Sequence, residues 1–451
     1  MAGIIYDYSP KYSVDAHNVH KDLSEYMLVD GFDFVLDIDK SGGIKFIEAR
    51  SGKAYFDFFT CFASMPVGMN HPKMLDEEFI KYLGVMALNK PSNSDIYTES
   101  MATFVKTFFK TAVPDYFKYS FFIDGGALAV ENALKAAFDW KVRKNMRKNS
   151  SAEKGHKIIH FREAFHGRSG YTMSLTNTDP NKVRYFPKFD WPRVTNPKLK
   201  FPITAEVLAE VEKLERQAES EIKEAFRNNP DDIAAIIIEP IQGEGGDNHF
   251  RPEFFRMLRN LADENDALLI FDEVQTGVGI TGKWWAHQHM GIEPDIMAFG
   301  KKMQVCGILA GPKLDEEPDN VFKVSSRINS TWGGNLVDMV RSTKYLEIIE
   351  EEKLVDNAAG MGAKLIEKLV ELEYDYPELV SNVRGQGLFC AFDMPDADVR
   401  SKLISGLFEE GLIILPCGPK SIRFRPPLNI TSDELDNGMK MVTKAVKNLK
   451  K

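Results

Sequence analysis

The chain has 451 residues, a formal net charge of −9 at pH 7, and 43% hydrophobic against 27% charged residues. This ordinary globular balance excludes collagen-like, coiled-coil and disordered classes, and the length suggests about two or three structural units. The acidic surplus argues against a general electrostatic grip on nucleic acid or anionic lipid, so any anionic ligand has to be met by a local cluster.

Through the middle of the chain, short β-branched or aromatic runs alternate with helical patterns, which predicts a parallel sheet covered by helices on both faces. In chain order, strands are expected at 119–123, 157–161, 233–238, 268–271 and 296–299, with a returning strand at 307–310. Helices with apolar residues at i, i+3, i+4 spacing begin at Ala127, Arg251 and Asn335. The stretch 205–227 is helical but so rich in charge that it reads as a solvated surface helix. After about residue 350 the pattern becomes helix (357–372), strands (387–393, 411–415, 421–425) and a last helix (432–449). A smaller α+β domain is therefore expected to close the chain.

Four widely spaced cysteines, Cys61, Cys306, Cys390 and Cys417, form no CxxC pair and no disulfide framework, which fits a reducing compartment. The opening MAGIIYDYSPKYSVDAH lacks a basic leader and a long apolar stretch, and no apolar run is long enough to span a bilayer. The expectation is a cytoplasmic protein without membrane or nucleic-acid partners.

The segment GVGITGK (277–283) matches both GxGxxG and GxxxxGK after an apolar strand, so a nucleotide-dependent oxidoreductase is an alternative. Its context is wrong for both motifs. Trp284 stands where a P-loop needs Ser or Thr, two acids (Asp272, Glu273) precede the glycines, and KWWAHQHMGIEP supplies no second strand with a ribose-binding acid. The pairs His287-x-His289 and His17-x-x-His20 lack cysteine support and HExxH spacing, so no metal centre is expected.

Ligands of an open parallel sheet gather beyond the carboxyl ends of its strands. The residues that follow the apolar runs are Asp124-Gly125-Gly126-Ala127, Phe165-His166-Gly167-Arg168, the stretch from Glu239 to Gly246, Asp272-Glu273-Val274-Gln275, and Gly300-Lys301-Lys302. Gly125 and Gly126 open a helix, so free N–H groups and the positive end of its dipole make a seat for phosphate, or else a plain strand-to-helix turn. Asp272 ends an apolar run, where its charge calls for a cationic partner such as a protonated ring nitrogen; a helix N-cap is the other reading. Lys301 sits at a desolvated strand end, where an amine loses its proton readily and attacks carbonyls, with Lys302 competing for the role. Together the three features meet the requirements of pyridoxal 5′-phosphate.

These same residues carry a family resemblance. LIFDEVQTGVGITGKWW followed by PDIMAFGKK resembles the cofactor signature of the class III, fold type I pyridoxal-phosphate aminotransferases over nearly the whole chain. The stretches FHGRSGYTMSLTNT, KFDWPR, EPIQGEGGDNHFRPEFF, GKKMQVCGILAG and SRINSTWGGN are most similar to members that act on the terminal amine of lysine. The resemblance implies a large cofactor-binding domain (66–345), a C-terminal small domain (346–451) and an N-terminal segment (1–65) that joins the small domain. It makes Lys301 the lysine that joins the cofactor aldehyde, Asp272 the partner of the ring nitrogen, and Lys302 a neighbour. Phe165 would stack on the ring, Gln275 would sit beside its hydroxyl, Gly126 and Ala127 would donate to the phosphate, and Glu239 joins the cofactor-binding set. Thr331 would reach the phosphate from the other subunit of a homodimer.

The implied reaction is ping-pong: L-lysine gives 2-aminoadipate 6-semialdehyde, which cyclises, and 2-oxoglutarate becomes L-glutamate. Arg168 would hold the far carboxylate, and Glu244 would pair with Arg423 until an α-carboxylate claims it. Asn329 would line the pocket. Relatives acting on ornithine or 4-aminobutyrate share this logic. Many family members place Ser or Thr where this chain has Gly125-Gly126, and glycine where it has Cys306, so its phosphate seat relies more on backbone donors.

Overall fold

The computed structural model describes residues 8–148 and 154–450; the start of the opening segment, residues 1–7, and residues 149–153 and 451 lie outside them. Near the N-terminus, β1 (Leu36–Gly42), β2 (Lys45–Glu48) and β3 (Ala54–Asp57) form an antiparallel meander. The central sheet comprises β4 (Tyr119–Ile123), β5 (Lys157–Phe161), β6 (Arg193–Val194), β7 (Ile233–Ile238), β8 (Leu268–Asp272), β9 (Ile296–Phe299) and β10 (Cys306–Ala310). Beyond it come β11 (Ser381–Gln386), β12 (Phe389–Asp393), β13 (Leu412–Ile413), β14 (Leu415–Cys417) and β15 (Ser421–Phe424).

The central sheet runs β4-β10-β9-β8-β7-β5-β6, with β10 antiparallel to both neighbours and the other pairings parallel. Alternation along its strands explains how both faces are covered. Ala235, Ile237, Leu268 and Ile270 pack under the helix Gly126–Arg147, while Ile236, Ile238, Leu269 and Phe271 pack under the helices Ala205–Asn228 and Pro252–Glu264. Side chains of period two on a sheet buried on both sides produce the continuous apolar runs seen in the sequence.

The helix Ala205–Asn228 departs from the solvated expectation. Val211, Ala218, Ile222 and Ala225 form a buried stripe, and Glu212 and Glu215 are held by Arg251 at 3.1 and 2.5 Å. Charge density hid a one-sided apolar face.

Two strand boundaries also differ, for physical reasons. The strand expected at 387–393 starts at Phe389 as β12 and pairs with a strand that was not expected, β11, because Gly387 turns the chain between them at φ +57°, where a Cβ would lie 2.4 Å from the Thr281 carbonyl carbon. The expected strand 411–415 divides: β13 adds in parallel to β3, whereas β14 pairs with β15 in the sheet β11-β12-β15-β14. The N-terminal meander is thereby joined to the C-terminal region.

The last helix, Ser432–Leu449, presses Gly438 against the buried Phe58 ring, where a Cβ would fall 2.2 Å from Cζ. In Gly438→Ala the helix-propensity gain of about 1 kcal/mol is outweighed by overpacking of about 1–3 kcal/mol. The expected outcome is a net loss of about 1 kcal/mol, read as a lower melting temperature.

Candidate active site

The parallel strands β5, β7, β8 and β9 point their carboxyl ends to one edge of the sheet, so Phe165, Glu239, Asp272 and Lys301 converge there from separate parts of the chain. The turn into the helix Gly126–Arg147 lies at the same edge, after β4 and beside the start of β10, where Cys306 pairs with Ile123. Gly125 has φ +101°, and nothing lies within 4 Å of where a side chain on it would begin. Gly126 packs on Val274, whose Cγ1 would be 2.9 Å from an added Cβ. The first N–H groups of this long helix have no partner within the helix, and the space beside Gly125 is open.

Lys301 is half-buried, and its Nζ donates to the Phe62 carbonyl at 3.0 Å. Burial, and then the charges of Arg423 and Arg425, push its amine from the usual lysine value down to about 8. Lys302 is fully enclosed and donates to the carbonyls of Ala63 at 3.2 Å and Gln275 at 2.8 Å. Burial, followed by the Lys301 charge, lowers its amine as well. The two lysines are thus told apart: Lys302 is tied to two backbone carbonyls in a closed space, and Lys301 keeps an open side.

The carbonyls that receive them belong to an unusual backbone. Thr60, Cys61, Phe62 and Ala63 are successive left-handed residues with φ of 43°, 50°, 60° and 62°. For residues other than glycine this conformation costs roughly 1–2 kcal/mol each. The turn is held by Asp57, which accepts from the N–H groups of Phe59 (2.9 Å) and Thr60 (2.6 Å), and by the Thr60 hydroxyl donating to the Arg425 carbonyl at 2.8 Å. Burial pushes the Asp57 carboxyl up to about 7.

Asp272 is buried, with Oδ2 2.8 Å from His166 Nδ1 and Oδ1 accepting from the Val274 N–H at 3.0 Å. Glu239 accepts from the N–H groups of Phe165 (2.9 Å) and Gly243 (3.1 Å), so it clamps together the loops that carry Phe165 and Glu244. Burial, then the neighbouring Asp272 charge, raises its carboxyl well above the ordinary range.

Glu244 lies between two cations, with Oε1 at Lys182 Nζ (2.5 Å) and Oε2 at Arg423 Nη1 (3.0 Å). Burial acts to raise its carboxyl, but the charges of Arg423 and Lys182 prevail and hold it below the usual value. The Arg423 contact is a close ion pair without an aligned hydrogen bond: Nε and Nη1 of this buried guanidinium have no hydrogen-bond partner. Arg168 is exposed, with its guanidinium carbon 5.9 Å from the Phe165 ring centre, and Lys182 Nζ lies 5.6 Å from the same centre. Gln275 accepts from Arg425 at 3.0 and 3.2 Å; Arg425 in turn is bidentate to buried Asp247 at 2.6 and 2.9 Å and stacks on Phe389.

Asn329 and Thr331 are placed differently. Both are exposed on the segment before Gly333, and Asn329 lines a cavity with Ser94, Tyr97 and Phe322 whose lining includes neither Lys301 nor Arg168 nor Arg423. The glycines of the 277–283 segment have packing duties. A Cβ on Gly277 would strike the Trp285 ring at 2.4 Å, one on Gly282 would meet Ala359 at 2.8 Å, and the α-helix a phosphate-binding loop requires does not start there. Glu273 is spent behind the site on His287 Nδ1 (2.8 Å) and the Thr276 hydroxyl (2.5 Å).

Sequence reasoning missed three contributors. His166 stood among the collected strand-end residues without a role. Arg425 follows Arg423 at the two-residue spacing that puts both on one side of an extended chain, a readable signal. Lys182 lies in a loop between the conspicuous stretches and gives no local signal.

The donor set suits pyridoxal 5′-phosphate: an amine of lowered basicity, a buried acid for a cationic ring nitrogen, and the start of a long helix with open space beside Gly125 for a phosphate. Comparison with known proteins agrees. Residues 27–446 match the family model "Aminotransferase class-III". The chain is 51% identical over 429 residues to the L-lysine-epsilon aminotransferase of Mycobacterium tuberculosis, covering 95% of each, and 48% identical over 442 residues to that of Streptomyces clavuligerus, covering 98% of this chain and 96% of the relative. A solved structure of lysine aminotransferase from M. tuberculosis in the internal aldimine form superimposes with a TM-score of 0.95 at 50% identity, covering 97% of this chain and 100% of that one. With β4–β10 as its central sheet and Lys301 and Asp272 at one edge, this chain belongs to the class III aminotransferases, the pyridoxal-phosphate enzymes of fold type I.

Proposed function

We propose that the protein is a lysine 6-aminotransferase that passes the ε-amino group of L-lysine to 2-oxoglutarate, yielding L-glutamate and 2-aminoadipate 6-semialdehyde, which closes to piperideine-6-carboxylate. Terminal-amine chemistry is supported by Glu244 held against buried Arg423, whose charges both act on Lys301, and the choice of lysine as donor by the 48–51% identity to L-lysine-epsilon aminotransferases over nearly the whole chain. A donor with one carboxylate far from its reacting amine needs a single arginine, whereas the acceptor needs two. Pairing the second arginine with a displaceable acid reconciles both.

Bound pyridoxal 5′-phosphate supplies the electron sink that makes a C–H bond beside the amine acidic. Asp272, oriented by His166 and the Val274 N–H, keeps a proton on the ring nitrogen. Phe165 and Gln275 would flank the ring, and the backbone of Gly126 and Ala127 would hold the phosphate. The Lys301 amine carries a proton to and from the ε-carbon of lysine, for which its lowered basicity suits it. Arg168 holds the α-carboxylate of lysine, and Glu244 shields Arg423. Thr331 and Asn329, on the exposed segment, serve the site of a second copy of this chain in a homodimer. The enzyme works in the cytoplasm, a reading supported by four cysteines that all remain free thiols. Among the described residues no helix is long and apolar enough to cross a membrane.

A panel of lysine, ornithine and 4-aminobutyrate with 2-oxoglutarate tests the donor: lysine should turn over fastest, and faster turnover of ornithine would end the lysine reading. Glu244→Ala should keep the 2-oxoglutarate half-reaction but lose about tenfold or more of the preference for lysine over glutamate, since nothing then covers Arg423. Single-turnover absorbance with each amino donor reads the ratio; equal slowing of both halves counts against the role given to Glu244.

A further inference from the structure

Where Glu244 goes when it leaves Arg423 follows from its second partner. Its two oxygens are divided between cations, Oε1 to Lys182 and Oε2 to Arg423, so one bond is already made to a group outside the Arg423 contact. Lys182 is not a loose surface amine. It ends a short turn that starts at Pro180, its N–H donates to the Asp179 carbonyl at 3.1 Å, and the Asp179 carboxylate caps the Asn181 N–H at 2.9 Å. Its side chain is 18% exposed and its Nζ lies over Phe165, the ring that Arg168 also approaches.

We infer that Lys182 is a specificity-determining residue that retains Glu244 when a dicarboxylate takes Arg423. The balance of charge along this wall supports the assignment. Lys182 and Arg423 hold one acid, Glu244, and a third cation, Arg168, approaches the same Phe165 ring as Lys182. A dicarboxylate adds two negative charges, and the sum closes: its carboxylates occupy Arg168 and Arg423, and Glu244 stays on Lys182. Without Lys182, a displaced Glu244 would stand unpaired beside a dianion, a like-charge arrangement that is costly in a partly desolvated pocket. With a monocarboxylate donor, Glu244 bridges both cations as it does here. Lys182 thus acts as a positioning residue, through Glu244, on acceptor binding alone.

This inference rests on the dicarboxylate-accepting reaction proposed above, and its test uses ligands that do not react. Calorimetric titration of the holoenzyme with glutarate, an inert dicarboxylate, and hexanoate, an inert monocarboxylate, compares the native chain with Lys182→Met and Lys182→Arg. Glutarate should bind about tenfold or more weakly to Lys182→Met, hexanoate should stay within about twofold, and Lys182→Arg should restore glutarate to within about threefold. Unchanged glutarate binding, equal weakening of both ligands, or failure of the arginine to restore binding would overturn it. Lys182→Gln takes the place of the methionine variant should that fail to fold. Because neither probe is a substrate, a chain that proved to prefer another amino donor would leave these equilibria as they are, so the two ideas fail separately.

Discussion

Lys301→Ala is expected to lower turnover by about 10⁴-fold or more, the largest effect of any single change in the site. The substitution removes both the amine that joins the cofactor aldehyde and the group that shuttles the proton at the reacting carbon. Folding should survive, because the side chain is half-buried and its hydrogen bond is to the Phe62 carbonyl, which solvent can satisfy. Borohydride reduction of the loaded protein followed by peptide mapping checks the assignment: the label belongs on Lys301, and label on Lys302 would transfer the role. The pH dependence gives a second check. An amine pushed down to about 8 is largely protonated and unreactive below that pH and free above it. Capture of added pyridoxal 5′-phosphate by the empty protein should therefore rise through about pH 8, and not near the 10.5 of an ordinary lysine.

Asp272→Asn should cost about 10²–10³-fold in the half-reaction with lysine, on the scale of removing one preorganised electrostatic partner from a closed site. The amide nearly matches the carboxylate in shape and can still accept from the Val274 N–H, so melting temperature and cofactor content should change little. What disappears is the negative charge that keeps a ring nitrogen protonated inside a buried pocket. Single-turnover absorbance after mixing with lysine measures the step directly. A variant within about tenfold of the native rate would show that the ring proton does not depend on this acid.

The sequence was informative wherever local pattern and topology coincide. Apolar runs of β7, β8 and β9 terminate in Glu239, Asp272 and Gly300-Lys301, and in a parallel sheet such termini must meet, so this part of the site was legible from residue order alone. Pairing was harder to read. The run LIILPC gives no hint that Leu412–Ile413 joins β3 while Leu415–Cys417 joins β15, because both halves are equally apolar. The solvated reading of 205–227 failed because its buried stripe is interleaved with Glu and Lys. Lys182 was invisible because its significance lies wholly in a carboxylate 62 positions away. The bend at Thr60–Ala63 was equally invisible, for it contains no glycine or asparagine to announce positive φ; its shape is imposed by Asp57 and the Arg425 carbonyl.

That bend also seats both amines on a part of the chain far from their own. The Phe62 and Ala63 acceptors are main-chain oxygens, so no side-chain replacement at positions 62 or 63 can delete them, yet 239 positions separate each from the amine it receives. The strand that leads into the bend, β3, is paired with β13, so the seat of both amines is built where an early strand lies against a late one. Since β13 follows Lys301 in the chain, the strand that pairs with β3 is made after the amine itself.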